Sequence, residues 1–343
     1  MYIIATISKS SYPANKIEEI ITAGATVLRY NFAHGSPQEL KTKIDIARPV
    51  IAKLGLENKI KILADLPGSK VRLGDFAAKE YPVVKDQELT FASKDFSPDL
   101  AEYVPVAFPA VGTLVKKGQI FTLADGEIAF VVTSIVDQDS FKARALNTNA
   151  ILNMKGINIG EKIDQLDHFN EKTLNHIKNL AQIKPDWVAF SFVNSRDYLI
   201  KAKKLLAEVT TKDWQPLIVS KIESPLGLKN IKEIIKETDI IMVARGDLGL
   251  TMPFENLGIS QKEIVRQTKA AGKPVIVATQ ILASIVSSYV PTRAEILDLT
   301  NLVLDGVDGM MLSRETGISL TPGHSIQVAK KIIAAAENFK NLN

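Results

Sequence analysis

Short apolar runs alternate with amphipathic segments along almost the whole chain. The runs occupy residues 2–7, 26–31, 59–65, 187–193, 217–222, 240–244, 274–279 and 309–312. Each run has the length of a strand and is continuous rather than alternating, which indicates that both faces of the strand are covered. The pattern therefore predicts eight buried parallel strands.

Helical periodicity connects most of these strands. It covers residues 16–23, 37–54, 196–209, 228–237, 261–271, 293–304 and 325–338. Three of the helices begin with a predicted capping box, in which a serine or threonine precedes a glutamate by three residues. The boxes are Ser36 with Glu39, Ser260 with Glu263 and Thr292 with Glu295. This alternation predicts a (β/α)₈ TIM barrel of the α/β class, with an open doubly wound sheet as the second possibility.

One stretch, between about residues 73 and 154, interrupts this rhythm. Short β-type runs at 88–91, 119–123, 128–136 and 141–146 replace the helices, with turn signals between them. We therefore expect a small all-β domain inserted after the third strand. The predicted bounds are residues 72–155 for this insert, and residues 1–71 and 156–343 for the barrel.

Composition excludes several classes of function. The net charge of +4 over 343 residues comes without a basic block, so no nucleic-acid partner is indicated. Cysteine is absent and only four histidines occur, so a metal would have to be a hard cation held by carboxylates. No window reaches the roughly 18 apolar residues of a membrane span, and no leader is visible, so we expect a cytoplasmic protein.

Charged and polar residues follow most of the predicted strands. In a barrel of this kind the active site lies at the C-terminal ends of the strands. The residues there are Arg29, Asn31, His34, Asp65, Lys70, Arg72, Lys221, Glu223, Arg245, Asp247, Thr279 and Ser313. A purely structural barrel would not need this density of charge at one rim.

The fifth and sixth strands carry the clearest metal signal. Lys221 and Glu223 are two residues apart on an extended segment, so their side chains point to the same face. An isolated lysine and glutamate at this spacing would be read as an ion pair. The next strand adds Asp247 between Gly246 and Gly249, and a sparse carboxylate pair suits Mg²⁺ or Mn²⁺, which keeps water and substrate oxygens as its other ligands.

Two arginines suggest a phosphorylated substrate. Arg29 and Arg72 follow the second and third strands, where their guanidinium groups would suit a phosphoryl group. Each could instead brace a helix end. Thr279 is a weak signal alone, since such threonines usually bond to backbone. His34 is read as a structural histidine without a role in proton transfer.

Several segments together resemble the pyruvate kinase family over the whole chain. The strongest match is IMVARGDLG at 241–249; the others include SKIE at 220–223, GKPVIVATQ at 272–280, PTRAE at 291–295 and RYNFAHG at 29–35. The inserted domain looks like the lid of that family, whose closure would exclude water from the phosphoryl group. The resemblance implies transfer of a phosphoryl group from phosphoenolpyruvate to ADP, giving pyruvate and ATP.

The resemblance also implies residue roles. Glu223 and Asp247 would ligate Mg²⁺ or Mn²⁺, and Lys221 would stabilise charge on the transferring phosphoryl group. Arg29 and Arg72 would hold that group. The remaining substrate contacts would come from Ala244, Arg245, Gly246, Asp247, Thr279 and Ser313. Thr279 would also have a catalytic role, since it would help orient the group that protonates the enolate. The nucleotide side would be formed by Arg29, Asn31, His34 and Lys155.

Departures from the family pattern define further expectations. In members that use K⁺, a glutamate stands where this chain has Lys70, and a serine stands where it has Ala33. The region of the monovalent cation would comprise Asn31, Asp65, Leu66 and Lys70. The tethered ammonium of Lys70 would replace the cation, so we expect that K⁺ is not required.

Other departures concern the nucleotide and the assembly. SKSS at 8–11 and Arg314 differ from the family on the nucleotide and substrate rims. The C-terminal regulatory domain of the family is expected to be absent, while Arg293 suggests a homodimer through the barrel face. Two alternatives stay open, a metal-dependent 2-oxo-acid lyase or aldolase and a catalytically idle paralogue. The two arginines argue against the lyase, and intact Lys221 and Glu223 argue against the idle paralogue.

Overall fold

The computed structural model describes residues 1–78 and 80–342. Its strands, in chain order, are β1 (Tyr2–Ile7), β2 (Val27–Asn31), β3 (Lys61–Asp65), β4 (Asp75–Phe76), β5 (Glu80–Val83), β6 (Glu88–Ser93), β7 (Phe96–Ser97), β8 (Val104–Val106), β9 (Ile120–Leu123), β10 (Ile128–Ile135), β11 (Ser140–Ala145), β12 (Asn149–Leu152), β13 (Ile157–Asn158), β14 (Trp187–Phe190), β15 (Leu217–Ile222), β16 (Ile240–Ala244), β17 (Val275–Ala278) and β18 (Gly309–Leu312).

The α-helices lie mainly between the longer strands. They are α1 (Ala14–Ala23), α2 (Pro37–Lys53), α3 (Glu171–Ile183), α4 (Arg196–Ala207), α5 (Pro225–Lys229), α6 (Ile231–Glu237), α7 (Arg245–Thr251), α8 (Leu257–Ala270), α9 (Arg293–Leu304), α10 (Arg314–Gly317) and α11 (Pro322–Leu342). Short 3₁₀ helices occupy Val111–Leu114, Ala124–Gly126, Gly160–Gln165, Phe254–Asn256 and Ala283–Val286.

Eight parallel strands close into a barrel in the order β1, β18, β17, β16, β15, β14, β3 and β2. This confirms the predicted (β/α)₈ fold and excludes the open sheet. A core of Ile4, Val27, Leu63, Val219 and Met242 is almost completely buried. Because all strands run in one direction, their C-terminal ends meet at one rim, where a site can be assembled from distant parts of the chain.

Two barrel strands end earlier than predicted. β14 stops at Phe190 and β17 at Ala278, since the chain then enters positive φ at Phe192 (54°) and at Thr279 (72°). Such angles are uncommon for residues other than glycine and end an extended strand. Both turns lie at the functional rim of the barrel.

The helices also differ from the expectation at particular places. Helix α3 was not predicted; its buried side includes polar Thr173 and His176, which weaken the apolar period. The capping boxes at Ser36 and Thr292 are confirmed. The predicted box at Ser260 is wrong, because α8 already begins at Leu257 and Ser260 lies inside it.

A second compact unit comprises Ser69–Asp167 with Gly249–Phe254. Its main sheet has the order β13, β9, β10, β11, β6 and β8. The core of this sheet contains Phe91, Phe121, Phe130 and Phe141. Residues 72–155, the predicted lid, fall within this unit, and the exact division into domains stays a prediction.

Among the described residues, no helix is long and apolar enough to cross a membrane.

Candidate active site

A buried cluster of four charged side chains lies toward the C-terminal ends of three barrel strands, β2, β3 and β15. Arg29 comes from β2, Asp65 ends β3, and Lys221 and Glu223 lie at the end of β15. Their exposed fractions are 9% for Arg29, 1% for Asp65, 8% for Lys221 and 1% for Glu223. The burial of four ionisable groups together is the main chemical feature of this rim, since charged side chains are rarely buried unless paired.

Asp65 joins the two cations of the cluster. Its Oδ2 atom accepts hydrogen bonds from Nε and Nη2 of Arg29 at 2.9 and 2.7 Å. Its Oδ1 atom lies 3.2 Å from Nζ of Lys221. Burial by itself would raise the pKa of Asp65, but Lys221 and Arg29 hold that pKa below its ordinary value. Asp65 is therefore a carboxylate throughout the physiological range.

Lys221 is the central cation. Its Nζ atom donates a hydrogen bond to Oγ of Ser191 at 2.9 Å and lies 3.1 Å from Oε1 of Glu223. Burial alone would lower the pKa of Lys221, but the carboxylates of Asp65, Glu223 and Asp247 outweigh it and hold the pKa above its ordinary value. A permanently charged ammonium is suited to stabilising negative charge and unsuited to accepting a proton.

Glu223 is oriented by two contacts within the barrel unit. Besides the ion pair with Lys221, its Oε2 atom accepts a hydrogen bond from the backbone N–H of Phe192 at 2.6 Å. Asp247 follows β16 on the short helix α7 and is half-buried. Its charge contributes to the raised pKa of Lys221, which indicates that it belongs to the same electrostatic environment.

The donor set fits a divalent cation such as Mg²⁺ or Mn²⁺. Among the described residues, no group of three or more histidine, cysteine, aspartate or glutamate side chains could hold a metal. Glu223 and Asp247 offer hard oxygen donors, and a carboxylate retains further lone pairs when it already accepts one hydrogen bond. A cation that completes its shell with water and substrate oxygens matches such a sparse pair.

The turn after β17 brings Thr279 close to the start of α7. The Oγ1 atom of Thr279 accepts a hydrogen bond from the backbone N–H of Gly246 at 2.8 Å. The side chain of Arg245 donates to the carbonyl oxygens of Thr279 and Gln280 at 2.8 and 2.9 Å, and pairs with Asp298 at 2.7 Å. This guanidinium therefore supports the turn.

The end of β18 is held by a buried carboxylate to which the sequence interpretation gave no role. Glu315 accepts hydrogen bonds from the backbone N–H groups of Ser313 at 2.8 Å and Leu282 at 3.2 Å. Ser313 is thus placed at the same end of the barrel as Thr279. Ala244, the last residue of β16, is 3% exposed.

The residues predicted near the nucleotide and the monovalent cation differ in burial. Asn31 accepts a hydrogen bond from the backbone N–H of Ala33 at 3.0 Å, and His34 is exposed. Leu66 is buried beside the cluster, where its carbonyl oxygen accepts a hydrogen bond from Ser191 at 2.8 Å.

Three predicted residues lie in the second compact unit. Arg72 is partly exposed and its Nη1 atom lies 3.4 Å from the carbonyl oxygen of Met154. Lys70 and Lys155 are exposed. Their roles toward phosphoryl group, cation and nucleotide stay predictions.

Two residues that contact the cluster received no role from the sequence. Thr6 accepts a hydrogen bond from Nη1 of Arg29 at 3.2 Å, and Ser191 contacts Lys221. A signal existed for each, because a buried hydroxyl residue interrupts an otherwise apolar run, YIIATI in β1 and WVAFSFV around β14. Such residues usually bond to backbone, so the signal does not by itself mark a site.

Comparison with known proteins gives one consistent result. The family model described as "Pyruvate kinase, barrel domain" matches residues 1–326. The pyruvate kinase of Thermococcus litoralis is 35% identical over 338 residues, which cover 98% of this chain and 70% of that protein. The pyruvate kinase of Candida albicans is 33% identical, covering 99% of this chain and 69% of its own. The crystal structure of a pyruvate kinase from Cryptosporidium parvum superimposes with a TM-score of 0.89 at 30% identity, covering 98% of this chain and 69% of that one.

Proposed function

Because the chain belongs to the pyruvate kinase family, we propose that it transfers the phosphoryl group of phosphoenolpyruvate to ADP, yielding pyruvate and ATP. The observation that carries this proposal is the buried cluster of Arg29, Asp65, Lys221 and Glu223 at one rim of the barrel. Phosphoryl transfer needs little covalent chemistry from the protein and depends on positioning and on stabilising negative charge.

Lys221 is the main source of positive charge in this proposal. Its raised pKa keeps it protonated, so its positive charge would stabilise the transferring phosphoryl group and the enolate oxygen that transfer leaves behind. A buried ammonium acts strongly because little water screens it. Asp65 keeps Lys221 and Arg29 side by side, although two cations would otherwise repel each other.

Arg29 and Arg72 are proposed to hold the phosphoryl group from the protein side. The guanidinium of Arg29 is fixed by Asp65 and by Thr6, so little side-chain entropy remains to be lost on binding. Arg72 carries the same kind of fork, which suits phosphate oxygens.

A divalent metal is a requirement of this family, and we propose Mg²⁺ or Mn²⁺ held by Glu223 and Asp247. Such a cation, when bound, would neutralise charge on the carboxylate and enol oxygen of phosphoenolpyruvate. The carboxylates of Glu223 and Asp247 would hold the cation close to the ammonium of Lys221. We further propose that K⁺ is not required, because the tethered ammonium of Lys70 would take over the electrostatic role of that cation.

The remaining rim residues are proposed to bind the rest of each substrate. Thr279 and Ser313, with the backbone from Ala244 to Asp247, would contact the carboxylate of phosphoenolpyruvate. The nucleotide side would be formed by Arg29, Asn31, His34 and Lys155. A homodimer through the barrel face that carries Arg293 also stays a prediction. The related proteins above are pyruvate kinases, so neither a lyase nor an idle paralogue is favoured.

The proposal is tested by a coupled assay for pyruvate formation with phosphoenolpyruvate, ADP and Mg²⁺ or Mn²⁺. We expect turnover in the wild type, and a loss of about a thousandfold or more in Lys221→Met, since it removes the main electrostatic group. Lys273→Met is the matched control. Lys273 precedes β17 and bonds to the carbonyl oxygens of Lys236 and Thr238, which precede β16, so it lies at the opposite end of the barrel. A wild type without turnover, or an active Lys221→Met, would contradict the proposal.

The cation proposal has its own test. Turnover is compared in K⁺ and in tetramethylammonium at equal ionic strength, and we expect no difference. A strict requirement for K⁺ would contradict the role proposed for Lys70 while leaving the reaction itself supported.

A further inference from the structure

The chain forms an unusual turn directly after β14, at Ser191 and Phe192. Both residues are buried, with exposed fractions of 5% and 2%. Phe192 has a φ of 54°, an angle that is unfavourable for a residue with a Cβ atom. Strained backbone of this kind persists only where the surrounding structure determines it, and it is concentrated at functional sites. We call these two residues the 191–192 turn.

Tight packing holds the 191–192 turn in this conformation. The ring of His168 stacks on that of Phe192, with ring centroids 5.0 Å apart and an interplanar angle of 16°. A Cβ atom at Gly68 would lie 2.6 Å from Cδ2 of Phe192 and 3.1 Å from Cβ of Ser191. A side chain at position 68 would therefore displace the ring of Phe192, and glycine at this position leaves room for that ring.

The donor and acceptor roles of the Ser191 hydroxyl are determined by its two partners. Its Oγ atom lies 2.8 Å from the carbonyl oxygen of Leu66, which can only accept, so the hydroxyl proton is donated to Leu66. The lone pairs of Oγ are then available to Lys221, whose ammonium can only donate, at 2.9 Å. The backbone carbonyl of Leu66, the residue directly after β3, thereby determines the direction from which Ser191 accepts.

The contacts of Lys221 divide into two kinds. Asp65 and Glu223 attract the ammonium as ion pairs at 3.2 and 3.1 Å, an attraction that depends weakly on angle. Ser191 provides a hydrogen bond, which weakens steeply when its angle changes. The next residue, Phe192, donates its backbone N–H to Glu223 at 2.6 Å. One turn thus contacts both Lys221 and its neighbouring carboxylate.

We propose that the 191–192 turn positions the catalytic groups of β15: the hydroxyl of Ser191 sets the direction of the Lys221 ammonium, and the backbone N–H of Phe192 sets the orientation of Glu223. The carboxylates supply the charge that keeps Lys221 protonated, and the turn supplies its geometry. Ser191 and Phe192 are positioning residues, since they act through Lys221 and Glu223. This proposal rests on the proposed phosphoryl transfer.

The first test separates positioning from simple stabilisation. Ser191→Ala should lower kcat about tenfold or more, because hydrogen bonds to charged groups contribute strongly, with the KM for phosphoenolpyruvate changed by about twofold or less. Ser191→Thr, which keeps a hydroxyl, should recover most of the loss. Ser220→Ala is the matched control, since Ser220 is fully buried on β15 but bonds to Thr238 at 2.8 Å. It should lower thermal stability without changing kcat.

A second pair of variants addresses the backbone if Ser191→Ala does not fold. Phe192→Gly and Phe192→Ala both remove the ring and keep the N–H, but only glycine tolerates a φ of 54° easily. We expect the glycine variant to retain the higher kcat. Equal kcat values in the two folded variants would overturn the role of the turn conformation.

The second test does not depend on activity. The Nζ ammonium of Lys221 is observed by NMR in protein labelled with ¹⁵N-lysine, and is assigned by its loss in Lys221→Met. We expect Ser191→Ala to shift this signal or broaden it through faster exchange with water, and Ser220→Ala to leave it unchanged. An unchanged Lys221 signal in Ser191→Ala, or a normal kcat, would overturn the proposal. If the wild type has no turnover, the proposed reaction fails and the NMR result alone decides the positioning.

Discussion

The two compact units of the chain bury different kinds of side chain. In the barrel unit, Arg29, Asp65, Lys221 and Glu223 are buried together at one rim. In the second unit, the core contains a cluster of phenylalanine rings, in which Phe91 lies 5.1 to 5.3 Å from three others. The buried polar residues described there are uncharged. One unit combines an apolar core with a charged site, whereas the other has the core alone.

The difference shows which part of the molecule is built for stability and which for chemistry. Aromatic rings packed at these distances stabilise a fold through apolar burial and ring contacts. Buried ion pairs stabilise much less, since the cost of removing charges from water offsets their attraction. A fold gains little from a cluster such as Arg29, Asp65 and Lys221, so its presence is best explained by the reaction that it serves.

The largest expected effect on stability is in the second unit. Phe91→Ala should reduce its free energy of unfolding by about 3–5 kcal/mol, because it removes a fully buried ring and leaves a cavity. Phe96→Ala is the control, since Phe96 is 51% exposed and should change stability by about 0.5 kcal/mol or less. Both are measured by denaturant unfolding. A small effect of Phe91→Ala would contradict the role assigned to this core.

The next largest effect is expected when the charged cluster of the barrel unit loses a carboxylate. Asp65→Asn leaves Arg29 and Lys221 buried without their shared carboxylate, and should reduce the free energy of unfolding by about 3 kcal/mol or more. It should also reduce kcat, because Lys221 is no longer held. Asp213→Asn, which removes the exposed partner of Lys184, should alter neither the unfolding midpoint nor kcat. Full activity in Asp65→Asn would show that the cluster is not required.

Dependence on pH should also distinguish the two units. The lowered pKa of Asp65 means that its contribution to stability is present above its ordinary value of 3.8 and is lost as pH falls through its still lower folded pKa. The raised pKa of Lys221 means that its contribution is present below 10.5 and is lost as pH rises through the folded pKa. Hydrogen exchange should therefore show barrel strands loosening at both extremes. An equal response of β9 to β11, whose core has no buried charge, would contradict this view.

The smallest effect is expected from a helix cap, which does not depend on the core of either unit. Thr292→Ala should cost about 1 kcal/mol of stability, because Thr292 caps α9 and its box with Glu295 is formed. Thr22→Ala is the control, since Thr22 is exposed within α1 and caps nothing. Unfolding midpoints of the two variants provide the measurement, and equal midpoints would show that the cap contributes little.

Features that depend on residues close together in the sequence were predicted accurately, whereas features that depend on distant residues were not. The strands β1, β15, β16 and β18 have the bounds that their apolar runs predict, because such runs reflect burial on both faces. The capping boxes at Ser36 and Thr292 are equally local. Helix α3 was missed because its buried face carries His176, whose burial depends on partners elsewhere in the chain.

The candidate site shows the same division. The positions of Arg29, Lys221 and Glu223 at strand ends follow from alternation and from the barrel rule. That Asp65 bridges Arg29 and Lys221 does not follow, since these residues come from three strands that are far apart in sequence. Ser191 received no role from the sequence, because a serine in an apolar run usually bonds to backbone.

By itself, the sequence determined the barrel, the inserted β-rich region and the family. The signals for these are the apolar period, the turn residues and the order of the motifs, all of which are properties of the residue order alone. Only the tertiary structure decided which groups meet: that Asp65 joins Arg29 to Lys221, and that the turn at Ser191 and Phe192 orients Lys221 and Glu223. Hydrogen bonds and buried charges depend on distances of a few tenths of an ångström and on angles between strands. Those quantities exist only once the barrel has closed.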